Sequence, residues 1–356
     1  MATAGKRSTQ LKIAGQVITR GETRKIDLPF SETYLGTSVS IPVYVMRSKK
    51  EGPRVFLTAT IHGDELNGLG VLRELLYDKV PALKMGTLIV IPVVNFYGME
   101  NHTRYLPDRR DLNRCFPGSA SGSLSSRLAH VLFHEIIRKC DYGIDFHTGA
   151  IRRTNFPNIR ANMKNPATRM LAKAFGCELI VHGQGAHGTL RHTATQAGVP
   201  TIILEAGEVW KIEPMVVEIG NRGIINVLKH LGMVSGEPTP SLFQVTSSKT
   251  VWVRAEAGGI LDFRAKPGDL VAKNQVLAIN ANIFGEENRK LISPVHGIVL
   301  GISTMPAIKP GEPVYHIAQL SARAVSQVRK LLASADASHA YNRMQSDLAT
   351  NIFTHE

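Results

Sequence analysis

Cysteine is scarce in this chain: Cys115, Cys140 and Cys177 are the three in 356 residues, odd in number and widely spaced. That pattern argues against a disulfide framework or a cysteine metal site, and for a reducing, cytoplasmic compartment. Long apolar runs are missing too. No stretch approaches the ~18–20 residues needed to span a bilayer. Lys6 and Arg7 are not followed by the apolar segment of a secretory signal. Acidic residues are in deficit, 29 against 42 Lys and Arg, giving a formal net charge of +13. Such an excess attracts acidic substrates or partners. It comes without zinc-finger spacings, an RNP-like aromatic strand or a long basic run, so dedicated nucleic-acid binding is not expected. With 43% hydrophobic and 20% charged residues, the chain reads as globular and long enough for two domains and a sizeable core.

Residues 1–53 hold short alternating segments broken by Gly and Pro, which read as antiparallel edge strands. Buried strands are predicted over Arg54–Thr60, Gly86–Val94 and Asp141–His147, with a shorter one at Glu178–Val181 and another at Pro200–Leu204. Helical spacing marks 65–77, 125–139, 166–175, 190–197 and 215–231. Strands alternating with helices predict an α/β sheet with helices on its faces. Phe96 to Ser123 is a long polar loop without period, a length that is often functional. After the Pro-rich linker at Gly236, residues 241–320 are all β by pattern, and the turn Lys266-Pro-Gly-Asp is echoed by Lys309-Pro-Gly-Glu. That echo suggests an internal two-fold repeat closing a small β sandwich. Residues 321–356 are helix-compatible, with a polar tail beyond Ser334 that reads as frayed. The expected division is 1–238, 239–320 and 321–356.

His62 and Glu65 stand just beyond a strand end, where ligands sit in open α/β sheets. Imidazole plus carboxylate is a common pair for catalytic zinc, yet the same spacing also serves a capped helix start. His147 closes the third strand, and with His62 and Glu65 would complete two imidazoles and one carboxylate. Asp145, on the same side of that strand, is placed to orient a ligand imidazole. Glu205, closing the buried run Ile202-Ile-Leu, is a candidate general base. The long loop carries Arg104, Arg109, Arg110, Asn113 and Arg114; guanidinium groups this dense beside a metal suggest an anionic substrate.

His62-Gly-Asp-Glu65, Asp111-Leu-Asn-Arg114 followed by Cys-Phe-Pro-Gly, Asp145-Phe-His147-Thr-Gly and Glu205-Ala-Gly stand in the order of the succinylglutamate desuccinylase/aspartoacylase family. The chain resembles that family of zinc carboxypeptidase-like hydrolases over about residues 35–320. The resemblance implies a mixed-sheet catalytic domain with one zinc on His62, Glu65 and His147. It implies Glu205 as base and proton shuttle, and Asn113 and Arg114 on a substrate carboxylate. Arg104 looks like the arginine that polarises the scissile carbonyl, with Arg109 or Arg110 as alternatives because the spacing to Asn113 is longer here. Arg110 and Arg191 are further substrate-binding candidates, Arg191 toward the acyl group.

The second domain resembles a biotinyl/lipoyl-type barrel, with Ser293-Pro-Val-His-Gly-Ile-Val in place. Its tip region, Phe284-Gly-Glu-Glu-Asn, has glutamate where a carrier has its modified lysine. A non-carrier domain that shapes or covers the active-site mouth is therefore expected. The leading function is a zinc-dependent amidohydrolase that deacylates an N-acetyl or N-succinyl amino acid by metal-activated water. A carboxypeptidase acting on acidic peptides is the second reading, and a non-catalytic metal-holding protein the third. The partner is a small anionic N-acyl amino acid or an acidic peptide, with no membrane; a homo-oligomer is left open.

Overall fold

The computed structural model describes residues 10–286 and 289–348. Met1–Arg7, and Glu287 and Asn288 of the Phe284 tip, lie outside the described residues. Four parallel strands form the heart of the main sheet, in the spatial order Thr201–Gly207, Tyr142–His147, Arg54–Thr58 and Thr87–Ile91. Ser38–Arg47 and Thr23–Glu32 extend one side as the expected antiparallel edge. Central strands are apolar on both faces because both faces are covered. Val55 and Leu57 point into one core, and Phe56 into the other. Helices Asn67–Tyr77, Pro166–Phe175 and Pro214–His230 pack on the first face, while Leu124–Glu135 and Leu190–Gln196 pack on the second. The 166–175 helix begins and ends where the sequence places it. Asn165 accepts from the Ala167 and Thr168 N–H groups, Pro166 opens the first turn, and Gly176 closes the helix at φ 80°.

Several elements differ from the sequence reading. The helix after the first strand starts at Asn67, leaving Glu65 in the preceding turn. The 96–123 loop contains a short helix, Phe96–Glu100, and a 3-10 turn, Leu112–Arg114. The 125–139 helix breaks at Ile136, whose φ of −122° is not helical. Arg153–Ala161 is a strand that the sequence conceals. Its Arg, Asn and Pro content is poor for a strand, and Pro157 argues against a central one. The fold accommodates the proline at a bulge: Asn158 pairs with Glu205 and Asn155 with Gly207, so two residues, Phe156 and Pro157, oppose Ala206 alone.

Beyond that strand the same sheet continues into the C-terminal β region. Gly297–Ser303 pairs with Arg153–Asn155, followed outward by Pro313–Gln319 and Thr250–Arg254. A four-stranded antiparallel sheet faces a separate core of Leu261, Phe263, Leu277, Val299 and Tyr315. The two echoing turns have the same chemistry: the Lys266 N–H donates to Asp269 and the Lys309 N–H to Glu312, both at 2.8 Å.

The segment beyond Ser334 is not frayed as far as Leu348. Ala335–Leu348 is a helix that buries Tyr341, Met344 and Leu348 in the first core. The Tyr341 ring packs on Phe156 and Phe243, and its hydroxyl donates to the Gly268 carbonyl at 2.6 Å. Most of the polar residues that suggested fraying lie on the outer face of this amphipathic helix, while Gln345 is buried and donates to the Pro267 carbonyl and to Asp269. Tyr341→Ala is expected to cost about 3–5 kcal/mol in urea unfolding, as for other buried aromatics. A loss below about 1 kcal/mol, typical of surface sites, would contradict the packing.

Candidate active site

The first strand ends in an unusual turn. Thr60, a β-branched residue, adopts φ 55°, a conformation that stores about 1–3 kcal/mol of strain. The surrounding backbone holds it: the Ala59 N–H donates to Ile91, and Val94 and Asn95 donate back to Ala59 and Thr60. Gly63 is required two residues before Glu65 because a Cβ there would fall 1.9 Å from the Gly98 carbonyl carbon. The turn thereby brings His62 and Glu65 over the end of the neighbouring strand that carries His147.

His62, Glu65 and His147 are all buried, with one ligand atom from each lying within 4.8 Å of the others. The His62 and His147 Nδ1 atoms are 3.2 Å apart, and the Glu65 carboxylate is 2.7 Å from the first and 2.8 Å from the second. The opposite nitrogens are already engaged. His147 Nε2 is 2.8 Å from Asp145, which also accepts from the Thr58 hydroxyl; His62 Nε2 is 3.1 Å from Asp111. Two imidazole nitrogens and a carboxylate converge while each ring is oriented from behind by an aspartate, the donor set and support of a metal centre. Burial opposes ionisation of Glu65, yet the adjoining His62 and His147 hold its carboxyl well below the usual range. Asp111 is likewise held low against its burial, by His62 and then Arg104. Burial also opposes the charged form of His147, but Asp145 and Glu65 raise it well above an ordinary histidine. The cluster is thus built around compensated charge.

The cluster opens on a cavity of about 490 Å³. Glu205 lines it, paired in register with His147 on the adjacent parallel strand. Its Oε2 accepts from Asn155 at 3.0 Å, and Arg160 approaches its Oε1 at 3.3 Å. Arg104 reaches Glu65 at 3.2 Å and Asp111 at 3.0 Å. Asn113, Arg114 and Arg191 also line the cavity. Arg109 and Arg110 do not: Arg109 takes φ 59°, Asp108 accepts from the Arg110 N–H, and this turn leaves both side chains exposed. A larger depression of about 750 Å³ around Phe30 and His130 lies elsewhere and holds none of these groups. Sequence reasoning missed Arg153, Asn155 and Arg160, because the strand that carries them was not recognised. It also missed Trp252 and His316, which reach the cavity from the C-terminal β region. The His316 ring stacks on Trp252 at 4.0 Å, with the Arg153 guanidinium 4.9 Å from the Trp252 centroid.

This fold and this cluster define a metal-dependent hydrolase. The model of the succinylglutamate desuccinylase/aspartoacylase catalytic domain matches residues 51–231. The chain belongs to that family, whose members hydrolyse amides as deacylases. It is 28% identical over 253 residues to the N-alpha-acetyl-L-2,4-diaminobutyric acid deacetylase of Halomonas elongata, covering 68% of this chain and 74% of the relative. A succinylglutamate desuccinylase/aspartoacylase from Rhodobacter sphaeroides superposes with a TM-score of 0.71 at 28% identity, over 84% of this chain and 96% of that one. The product-bound ectoine utilization protein EutE (DoeB) from Ruegeria pomeroyi gives 0.74 at 25% identity, over 85% and 97%. Among the described residues no helix is long and apolar enough to cross a membrane.

Asp145→Asn keeps the shape behind His147 but withdraws the charge. It is expected to weaken divalent-metal binding at His62, Glu65 and His147 about 10–100-fold in competition with a chromogenic chelator. Unchanged affinity would show that Asp145 does not orient the ligand.

Proposed function

We propose that the chain is a zinc-dependent amidohydrolase that removes an acetyl- or succinyl-type group from an N-acyl amino acid, with one zinc on His62, Glu65 and His147. The observation that carries this reading is the buried His-Glu-His cluster opening on a cavity that Glu205 enters from the strand beside His147. Bound zinc would supply a Lewis acid and bring the pKa of water toward ~7. Glu205 takes a proton from the attacking water and returns it to the departing amine nitrogen. Asn155 and Arg160 hold the two oxygens of that carboxylate. Arg104, steadied by Glu65 and Asp111, polarises the scissile carbonyl. Asn113 spends its carbonyl oxygen on the Leu190 N–H at 2.9 Å, so its NH₂ is what it offers, with Arg114, to the substrate carboxylate.

A cavity of about 490 Å³, walled partly by Trp252 and His316, suits a small molecule better than the end of a long acidic peptide. The Halomonas relative, named for an N-acetyl amino acid, supports the same substrate class. We keep 1–238 as the catalytic domain and 239–320 as a lipoyl/biotinyl-like barrel-sandwich domain, whose separate core supports the division. We keep 321–356 as a helical C-terminal tail, whose described part, as far as Leu348, is clasped to the catalytic core through Val325, Val328 and Tyr341. Three free cysteines support a cytoplasmic setting.

Glu205→Gln preserves size and is expected to retain bound zinc by elemental analysis while losing about 10²–10⁴-fold in kcat on N-acyl amino acids. Turnover within tenfold of the parent would remove Glu205 from the mechanism.

A further inference from the structure

The loop that follows the Glu205 strand reaches several parts of the site, though none of its residues lines the cavity. It runs from Gly207 to Glu213, where Pro214 opens the next helix. Asn67, just past Glu65, fixes its far end: the Asn67 amide donates to Glu213 Oε2 and accepts from the Glu213 N–H, both at 2.7 Å. The same carboxylate oxygen accepts from the Glu208 N–H at 3.0 Å. A Cβ at Gly207 would fall 1.8 Å from that oxygen, so the loop closes tightly on its own start. Glu208 Oε1 accepts from the Thr304 hydroxyl at 2.7 Å, which joins the loop to the C-terminal β region.

Trp210, in the middle of this loop, is held in a way that burial does not explain. It takes φ 59°, a left-handed conformation that bulky side chains rarely adopt, and it is 48% exposed. A tryptophan placed for its apolar surface would be turned further inward. What the observed position achieves is a pair of hydrogen bonds. The Trp210 backbone N–H donates to the Asp64 carbonyl at 2.8 Å, and its indole Nε1–H donates to the His102 carbonyl at 3.3 Å. Asp64 directly precedes Glu65, and His102 stands shortly before Arg104. His102 is itself left-handed, at φ 49°, a conformation that persists only when its surroundings hold it. Asn95 holds the same segment further on, donating to the Arg104 carbonyl at 3.2 Å. Trp210 therefore spans the two segments whose side chains meet where Arg104 contacts Glu65, at 3.2 Å.

We propose that Trp210 is a positioning residue for Arg104: its indole N–H holds the His102 carbonyl and so fixes where the guanidinium stands beside Glu65. It acts at one remove, through the backbone of the 102–104 segment. The kinetic effect of that placement rests on the deacylase reading, in which Arg104 polarises the scissile carbonyl. A displaced guanidinium stabilises the oxyanion less, while substrate binding through Asn113 and Arg114 is left as it was.

Two substitutions separate the hydrogen bond from the bulk of the ring. Trp210→Phe keeps an aromatic ring and removes the donor. Trp210→His restores a donor, since imidazole Nε2 takes the place of indole Nε1 in the five-membered ring. The zinc-loaded full chain is assayed on a panel of N-acetyl and N-succinyl L-amino acids, and the best substrate is carried through the variants. Trp210→Phe is expected to lower kcat about ten- to a hundredfold with KM within about threefold, and Trp210→His to recover most of that loss. In an Arg104→Ala background Trp210→Phe should have no further effect, because the group it positions is gone. A merely structural role would give additive losses and no rescue by histidine. Hydrogen exchange of the Arg104 Nε–H, which donates to Asp111 at 3.3 Å, reads the placement without turnover. Followed by NMR and assigned by its loss in Arg104→Ala, it is expected to exchange about tenfold faster in Trp210→Phe and near the parent rate in Trp210→His. Unchanged exchange and kcat in Trp210→Phe, or additive losses in the double variant, overturn the proposal. If no compound of the panel is hydrolysed, the deacylase reading falls, and the exchange rates alone decide whether Trp210 positions Arg104.

Discussion

Two imidazole nitrogens facing each other at 3.2 Å over a buried carboxylate are the arrangement on which the rest of this molecule depends. Such a group is unstable in a protein interior unless charge is balanced around it. Asp145 and Asp111 supply that balance from behind, and Arg104 from the side. Each of these groups needs its own rigid support. Asp145 accepts from Thr58 across two paired parallel strands, and Asp111 caps the turn at Asn113. The strained Thr60 turn and the Gly63–Gly98 approach serve the same end, bringing a turn residue within reach of a strand residue.

The parallel register then determines what else the site can contain. Thr58 lies beside Asp145, and Glu205 beside His147, so the carboxylate proposed as base and a histidine of the metal cluster share one sheet edge without any loop between them. On the far side of Glu205 the sheet changes character. The antiparallel Arg153–Ala161 strand joins the catalytic sheet to Gly297–Ser303, and the cavity gains Trp252 and His316 from a region more than a hundred residues from the metal ligands in sequence. The C-terminal region is therefore part of the cavity wall as well as an appended β unit.

The metal-binding end of the site is legible in the chain because its parts are local. His62 and Glu65 are three residues apart, Asp145 and His147 two apart on one strand, and Asp111, Asn113 and Arg114 sit on one turn. Apolar runs fix the parallel strands, since only fully covered strands read that way. Less survives for the opposite wall. Arg153, Asn155 and Arg160 belong to a strand whose composition denies it, made possible by a bulge at Phe156–Pro157. Trp252 and His316 are unremarkable in an alternating β sequence until Thr250–Arg254 pairs with Pro313–Gln319. The tail misleads similarly, because a helix with one apolar stripe looks polar on average.

What the amino-acid sequence determined by itself was the parallel core, the His62-Glu65-His147 cluster and the carboxylate that stands beside it, because each depends on short spacings and on burial patterns that repeat along one strand or turn. Which arginines line the cavity was decided only by the tertiary structure. Arg110 and Arg114 stand four apart on one loop, yet a left-handed residue at Arg109 turns the first away while the second lines the cavity. A guanidinium carries the same charge wherever it stands; its function depends on which wall the folded backbone gives it.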